Sequence, residues 1–129
     1  KDGIKISLPN PATAPYGFQA KLALENAGLW ERVSPDIVTA ESIAQATQYV
    51  YSGICEMGFT AKSVLFAPEL KGTGFWEEVP AYLYEPIYQG FIVTKRGQQE
   101  NGSAATLFST FMKSQQVREI LLKNGYTLP

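Results

Sequence analysis

Histidine is absent from this chain, and cysteine occurs once, as Cys55. The first absence removes Ser-His and Cys-His nucleophilic pairs and most zinc sites; the second removes any intrachain disulfide. Cys55 lies in the run Ile54 to Thr60, beside Met57 and Phe59, where it reads as a small buried hydrophobe. Concentrated charge is missing too. The 11 basic and 12 acidic residues give a net charge of −1 and are scattered, which argues against a nucleic-acid surface or a polybasic membrane patch. No apolar run approaches the roughly 18 residues of a membrane span. No signal-peptide pattern opens the chain, which by itself says little about compartment. Gly72-Thr73-Gly74 is not followed by Gly-Lys-Ser/Thr or a helix, so it is no phosphate loop. Glu77 and Glu78 are neighbours on an expected strand and point to opposite faces, so they form no catalytic carboxylate pair. The tyrosines at 49, 51, 82, 84 and 88 lack interleaved basic residues and read as core or rim packing. With no nucleophile-base pair to assemble, an enzyme is not expected.

What is present is the pattern of one α/β domain: 129 residues, 45% of them hydrophobic. A first strand is expected over Lys5 to Leu8 and a first helix over Pro15 to Ala27, stopped by Gly28. Leu29 to Pro35 is a connection whose Leu29 and Trp30 plug the end of that helix. Ile37 to Thr39 reads as a second strand and Ser42 to Tyr51 as a second helix, with Ile43, Ala46, Thr47 and Val50 on its core face and Gly53 at its end. Ile54 to Thr60 is apolar with little alternation, as in a strand covered on both faces. A short helical turn is expected over Lys62 to Phe66 and a breaker-rich loop from Ala67 to Gly74. Strands follow over Phe75 to Val79 and Tyr88 to Lys95, then a polar turn from Arg96 to Gly102. A helical stretch from Ser103 to Lys123 changes phase around Ser114-Gln115, and Asn124-Gly125 caps it. Strands alternating with helices predict a three-layer sandwich with a mostly parallel central sheet and one reversed strand.

Two of these helix starts are candidates for chemistry. Asn10-Pro11-Ala12-Thr13-Ala14-Pro15-Tyr16-Gly17 joins strand to helix, with Thr13 as the expected N-cap and Pro15 in the first turn, where a missing N–H costs nothing. Ser42 with Gln45 three residues later matches the reciprocal capping pattern. Taken alone, each is more simply explained as a structural turn or cap. Together they place two donor-rich helix ends on the carboxyl edge of neighbouring strands, where open α/β sheets bind ligands and where an oxyanion finds free N–H groups.

The same residues carry a resemblance. Asn10-Pro-x-Thr13-Ala-Pro-Tyr-Gly17, Gly28-Leu-Trp30, Glu41-Ser-Ile-Ala-Gln-Ala46, Gly58-Phe59, Trp76 with Val79-Pro80, Tyr84-x-Pro86-Ile87 and Tyr126-Thr-Leu-Pro129 resemble, in order and spacing, the periplasmic molybdate-binding proteins of ABC transporters. The resemblance implies an α/β lobe of the type II periplasmic-binding-protein fold. Residues 1–129 would be the second lobe plus the C-terminal return of a two-lobe protein whose first lobe would precede Lys1. It implies a periplasmic or extracytoplasmic protein without cofactor or bound metal, whose ligand is molybdate or tungstate and whose partner is the transporter permease. Carried over position by position, the backbone N–H groups of Tyr16 and Ile43 fall on the family's second-lobe donors, with Thr13 and Ser42 beside them. Ala61 departs from the pattern, because some members place a tyrosine hydroxyl on the anion from that position; Thr60 or the Tyr16 phenol are the substitutes to consider. The surface left by the missing first lobe would favour self-association. The rival readings are the ligand-sensing domain of a transcription regulator with the same lobe architecture, and a binding protein for another oxyanion such as sulfate.

Overall fold

The computed structural model describes residues 3–128; Pro129, last in the terminal motif, lies outside them. Its centre is β1 (Ile6–Pro9), whose four residues are all buried. A strand is buried on both faces only when both are covered, and that is the situation here. β1 pairs in parallel with β2 (Ile37–Ala40), residue for residue from Ile6 opposite Ile37 to Pro9 opposite Ala40. On its other side it pairs in parallel with β3 (Met57–Gly58), giving the order β2-β1-β3. The strand expected over Ile54 to Thr60 is thus shorter as a ladder, although Glu56 N–H reaches the Lys5 carbonyl at 3.1 Å and Phe59 N–H the Ser7 carbonyl at 2.9 Å.

Parallel neighbours need crossovers, and helices supply them. Between β1 and β2 run α1 (Pro15–Asn26), the short α2 (Trp30–Val33) and a 3₁₀ turn over Ser34–Asp36. Between β2 and β3 runs α3 (Ile43–Tyr51). Leu8 packs against Ala20 and Leu24 of α1, with Trp30, Val33, Ile37 and Phe59 around them. Burying Leu8 completely contributes roughly 2 to 3 kcal/mol. Ser7, one residue earlier, faces the opposite layer. There Gly58 lies so close that a Cβ on it would sit 2.8 Å from Val50 Cγ2 of α3 and 2.9 Å from Ser7 Cβ. Helices on both faces of a parallel sheet make the expected sandwich. Among the described residues, the Ser7 hydroxyl is the side-chain group buried without a hydrogen-bond partner.

Gly28 ends α1 at φ 67, the left-handed conformation that returns Leu29 N–H to the Leu24 carbonyl at 2.8 Å. Trp30 then packs on the core, as the plug reading requires, but from a helical turn of its own, and Lys21 Nζ lies 5.0 Å from its ring centre; Leu29, the other half of the expected plug, is exposed.

Beyond β3 the chain departs further from expectation. Lys62–Phe66 is the anticipated turn, a 3₁₀ helix, and a second one covers Ala81–Leu83. Phe75 to Val79 and Tyr88 to Lys95 form no strands, and among the described residues no strand runs antiparallel, so the reversed strand has no counterpart. A strand needs a neighbour for its N–H and C=O groups, and none of the described strands lies beside these segments. The polar turn from Arg96 to Gly102 is helical instead: α4 spans Lys95–Met112, with Thr94 Oγ1 accepting from Gly97 N–H at 3.1 Å. Its irregularity falls at Asn101, φ −142 and ψ 44, just before the expected start at Ser103. The break at Ser114 is where the phase change puts it. Ser114 caps α5 (Gln115–Lys123), and Gly125 follows at φ 82.

The tightest junction in the lobe is between α1 and the end of β1. A Cβ on Gly17 would run into the Pro9 carbonyl oxygen and come within 2.9 Å of the Asn10 carbonyl carbon, all backbone atoms that cannot swing aside. Gly17→Ala is therefore expected to destabilise the chain by about 1 to 3 kcal/mol, the cost of overpacking, read as a lower urea midpoint at unchanged slope.

Candidate functional site

The site is built where β1 and β2 end. Asn10 N–H donates to the Ala40 carbonyl at 2.7 Å, tying the two strand exits together. Asn10 then organises the turn: its side-chain Oδ1 accepts from Ala12 N–H at 2.9 Å, and its carbonyl accepts from Thr13 N–H at 3.2 Å and Ala14 N–H at 2.8 Å. An Asn that closes the backbone two residues on is a familiar turn former, and that residue type is the signal by which the sequence could have shown it. The consequence is that Thr13 is not the N-cap. Ala14 is, and it makes no side-chain cap bond. Pro15 has no N–H, and Phe18 N–H is the first to bond back, to the Ala14 carbonyl at 3.0 Å. The donors left open at the start of α1 are therefore Tyr16 and Gly17.

The start of α3 is arranged differently. Ser42 Oγ accepts from Gln45 N–H at 3.1 Å, as the capping pattern predicts, while Gln45 Oε1 accepts from Glu41 N–H at 2.7 Å, one residue before the cap. That arrangement consumes the third N–H of the helix and leaves those of Ile43 and Ala44 open. The Ser42 hydroxyl keeps its own proton. Since Pro9 and Ala40 are register partners, both helix starts emerge from the same edge of adjacent strands. Each carries the partial positive charge of its helix end, worth roughly 0.3 to 2 kcal/mol toward an anion.

The third strand exit carries Thr60 and Ala61. Thr47 Oγ1 donates to the Ile43 carbonyl at 2.9 Å and lies 2.7 Å from Thr60 Oγ1. A hydroxyl has one proton, so Thr60 is the donor in the second bond and has none left for a ligand. Ala61 is buried and precedes the 3₁₀ turn over Lys62–Phe66. The Tyr16 phenol is the other hydroxyl considered from sequence. It accepts from Gln89 Nε2 at 3.0 Å, which leaves its own proton free. Its pKa lies above the ordinary phenol value, chiefly through burial and secondly through the nearby Tyr126, with the Gln89 bond acting the other way. Among the described residues no cluster of acidic, cysteine or histidine side chains could hold a metal.

A parallel sheet with helices on both faces, and open helix N-termini at its carboxyl edge, is the arrangement in which open α/β folds bind ligands. The sequence profile of the bacterial extracellular solute-binding proteins matches residues 1–127, and the chain belongs to that family. It is 37% identical over 124 residues to the molybdate-binding protein ModA of Azotobacter vinelandii, covering 95% of this chain and 48% of that one. It is 34% identical over 121 residues to ModA of Rhodobacter capsulatus, covering 94% and 46%. The solved periplasmic molybdate-binding protein of A. vinelandii superposes with a TM-score of 0.85 at 32% identity, over all of this chain and 56% of that structure. A substrate-binding domain of a putative molybdenum ABC transporter from Clostridium difficile shares the fold, with a TM-score of 0.68 at 20% identity. The chain spans about half the length of the curated relatives it matches.

The raised pKa of Tyr16 sets a pH dependence. Its contribution to stability is fully present below the unfolded-state value of 10.0 and is lost as pH rises through the higher folded value. Urea midpoints measured across the alkaline range are expected to fall above about pH 10 in the wild type and to fall less in Tyr16→Phe.

Proposed function

We propose that this chain is the second lobe, with the C-terminal return, of the solute-binding component of an ABC transporter for molybdate-type oxyanions. The observation that carries the reading is the pair of open helix starts, Tyr16 and Ile43, on one edge of adjacent parallel strands. The relatives, molybdate-binding proteins by name, supply the ligand class, and tungstate is the natural companion by size and charge.

Binding needs no opposite charge. A dianion stripped of water is stabilised by several charge-assisted hydrogen bonds, each contributing on the order of 1.5 to 3 kcal/mol net, with the helix ends adding to them. The Tyr16 and Ile43 amides are the principal donors from this lobe, and the Ser42 hydroxyl, with its proton free, is a third. Thr13, exposed, stands beside them; at the third strand exit the Thr60 hydroxyl is bonded to Thr47 and Ala61 has no side-chain donor. The remaining donors would come from a facing lobe. Closure of two lobes on the anion would select size and present the loaded protein to the permease outside the cytoplasm.

Titration of the 129-residue chain with molybdate, tungstate, sulfate and phosphate by calorimetry tests the half-site. A Kd at or weaker than about millimolar, near −4 kcal/mol, is expected. Micromolar binding would show that this chain holds a complete site. In a protein carrying both lobes, Tyr16→Pro, in the first turn of the helix, removes this N–H together with the phenol and is expected to weaken molybdate binding at least tenfold, about 1.4 kcal/mol, and Tyr16→Phe, which keeps the amide, to weaken it less. Equal affinity would remove the backbone-donor assignment.

The exposed large hydrophobic side chains fit the same reading. Phe75, Tyr82, Tyr88 and Ile92 are 96%, 84%, 90% and 87% exposed, more apolar surface in one stretch than a lone domain usually leaves in water. In isolation the chain is expected to self-associate through that stretch, and light scattering that finds only monomer at high concentration would contradict it.

A further inference from the structure

Three side chains of α1 reach across to one extended segment. Asn26 Nδ2 donates to the Leu83 carbonyl at 2.9 Å, Gln19 Oε1 accepts from Glu85 N–H at 2.9 Å, and the Tyr16 phenol accepts from Gln89 Nε2 at 3.0 Å. Positions 16, 19 and 26 share one face of a helix, within an arc of about 80° at 100° per residue. Leu83–Gln89 therefore lies along α1 in the opposite direction, from the last turn of the helix back to its first. It leaves the helix at Tyr16, the residue whose amide is open at the strand edge. After Gln89 the bonds to α1 end: Gly90 meets no atom within 4 Å of where a Cβ would stand, and Phe91, Ile92 and Val93 are exposed, with Phe91 edge-on to Phe108 of α4.

We propose that Gln89 is a positioning residue for the anion donor of α1, holding the Tyr16 phenol so that the helix start and the segment Leu83–Gln89 are one rigid unit. This rests on the reading of Tyr16 as an anion donor. Tyr16 then has two attachments: its backbone amide faces the ligand edge, and its hydroxyl anchors the point at which the chain departs toward α4. Gln89 touches no ligand. It acts by fixing the ring, and through the ring the first turn.

The test uses the 129-residue chain. Hydrogen exchange of the Glu85 amide, which donates to Gln19 Oε1, is expected to quicken up to about fivefold in Gln89→Leu, the factor that one ordinary hydrogen bond of about 1 kcal/mol provides. Tyr16→Phe is expected to do the same, and the double variant no more than either alone. Gln89→Glu keeps the link with its direction reversed, the phenol donating to the carboxylate, so exchange is expected to return close to the wild-type rate. A tyrosine-ring NMR titration provides a readout that mere packing would not move: loss of the Gln89 donor is expected to raise the Tyr16 pKa further. Finally, Gln89→Leu is expected to weaken molybdate binding several-fold. Unchanged exchange in Gln89→Leu overturns the clamp, and a loosened segment with wild-type molybdate affinity overturns the positioning role. If the wild-type chain binds no molybdate even at tens of millimolar, it is the half-site reading that fails, and with it the positioning role; the exchange and NMR arms still decide the clamp.

Discussion

The structure depends on how closely α1 can approach the end of β1. Gly17 lies against the Pro9 carbonyl, and Asn10 gathers the amides of Ala12, Thr13 and Ala14 onto itself. The turn is thereby closed internally, which is why the next amides in the chain are left without acceptors. With any side chain at position 17 the helix would have to back away from the strand, and the open donor at Tyr16 would move with it. The Asn10 bond to the Ala40 carbonyl extends the constraint sideways to β2 and so to the start of α3. One contact thus sets the depth of the first donor, and one hydrogen bond sets its spacing from the second.

The chemistry at that edge is neutral. The groups left open there are peptide amides at helix ends and the Ser42 hydroxyl, while the nearby pair Thr47 and Thr60 bonds internally, to the Ile43 carbonyl and to each other. That bonding matters for α3, because the bond from Thr47 back to Ile43 braces the turn that presents the Ile43 amide. Fixed dipoles suit a dianion better than mobile cations would, since they are already oriented and need no reorganisation when the ligand arrives.

Much of the chain up to Phe66 is legible from residue order alone. The strand-turn-helix alternation, the glycine stops at Gly28 and Gly53, the cap at Ser42 and the short turn at Lys62–Phe66 are local events, written in residues close together in the chain. Thr13 has the residue type of a cap but stands one position too early, and the Asn10 side chain reaches the backbone of the turn first. The segments Phe75 to Val79 and Tyr88 to Lys95 have the composition of strands and are not strands here. Composition records that a segment suits a pleated, half-covered surface; it does not supply the neighbouring strand. The first turns of α4 are hidden for the converse reason, since a polar run with Gly97 and Gly102 reads as a turn yet is helical up to Asn101, with Thr94 as its cap.

The sequence by itself determined the class: an α/β lobe without nucleophile-base pairs or charge clusters, with helix starts at two strand ends, and a resemblance to the periplasmic molybdate-binding proteins. Those are matters of residue type and spacing, and both are read directly along the chain. The tertiary structure decided which donors are open and what holds them. That Tyr16 is uncapped, that Thr60 has given its proton to Thr47, and that Gln89, 73 positions along the chain, bonds the Tyr16 phenol are results of distant segments meeting. A hydrogen bond is specified by distance and angle to a few tenths of an ångström, and sequence spacing fixes such quantities only within a turn or a helix, not across a fold.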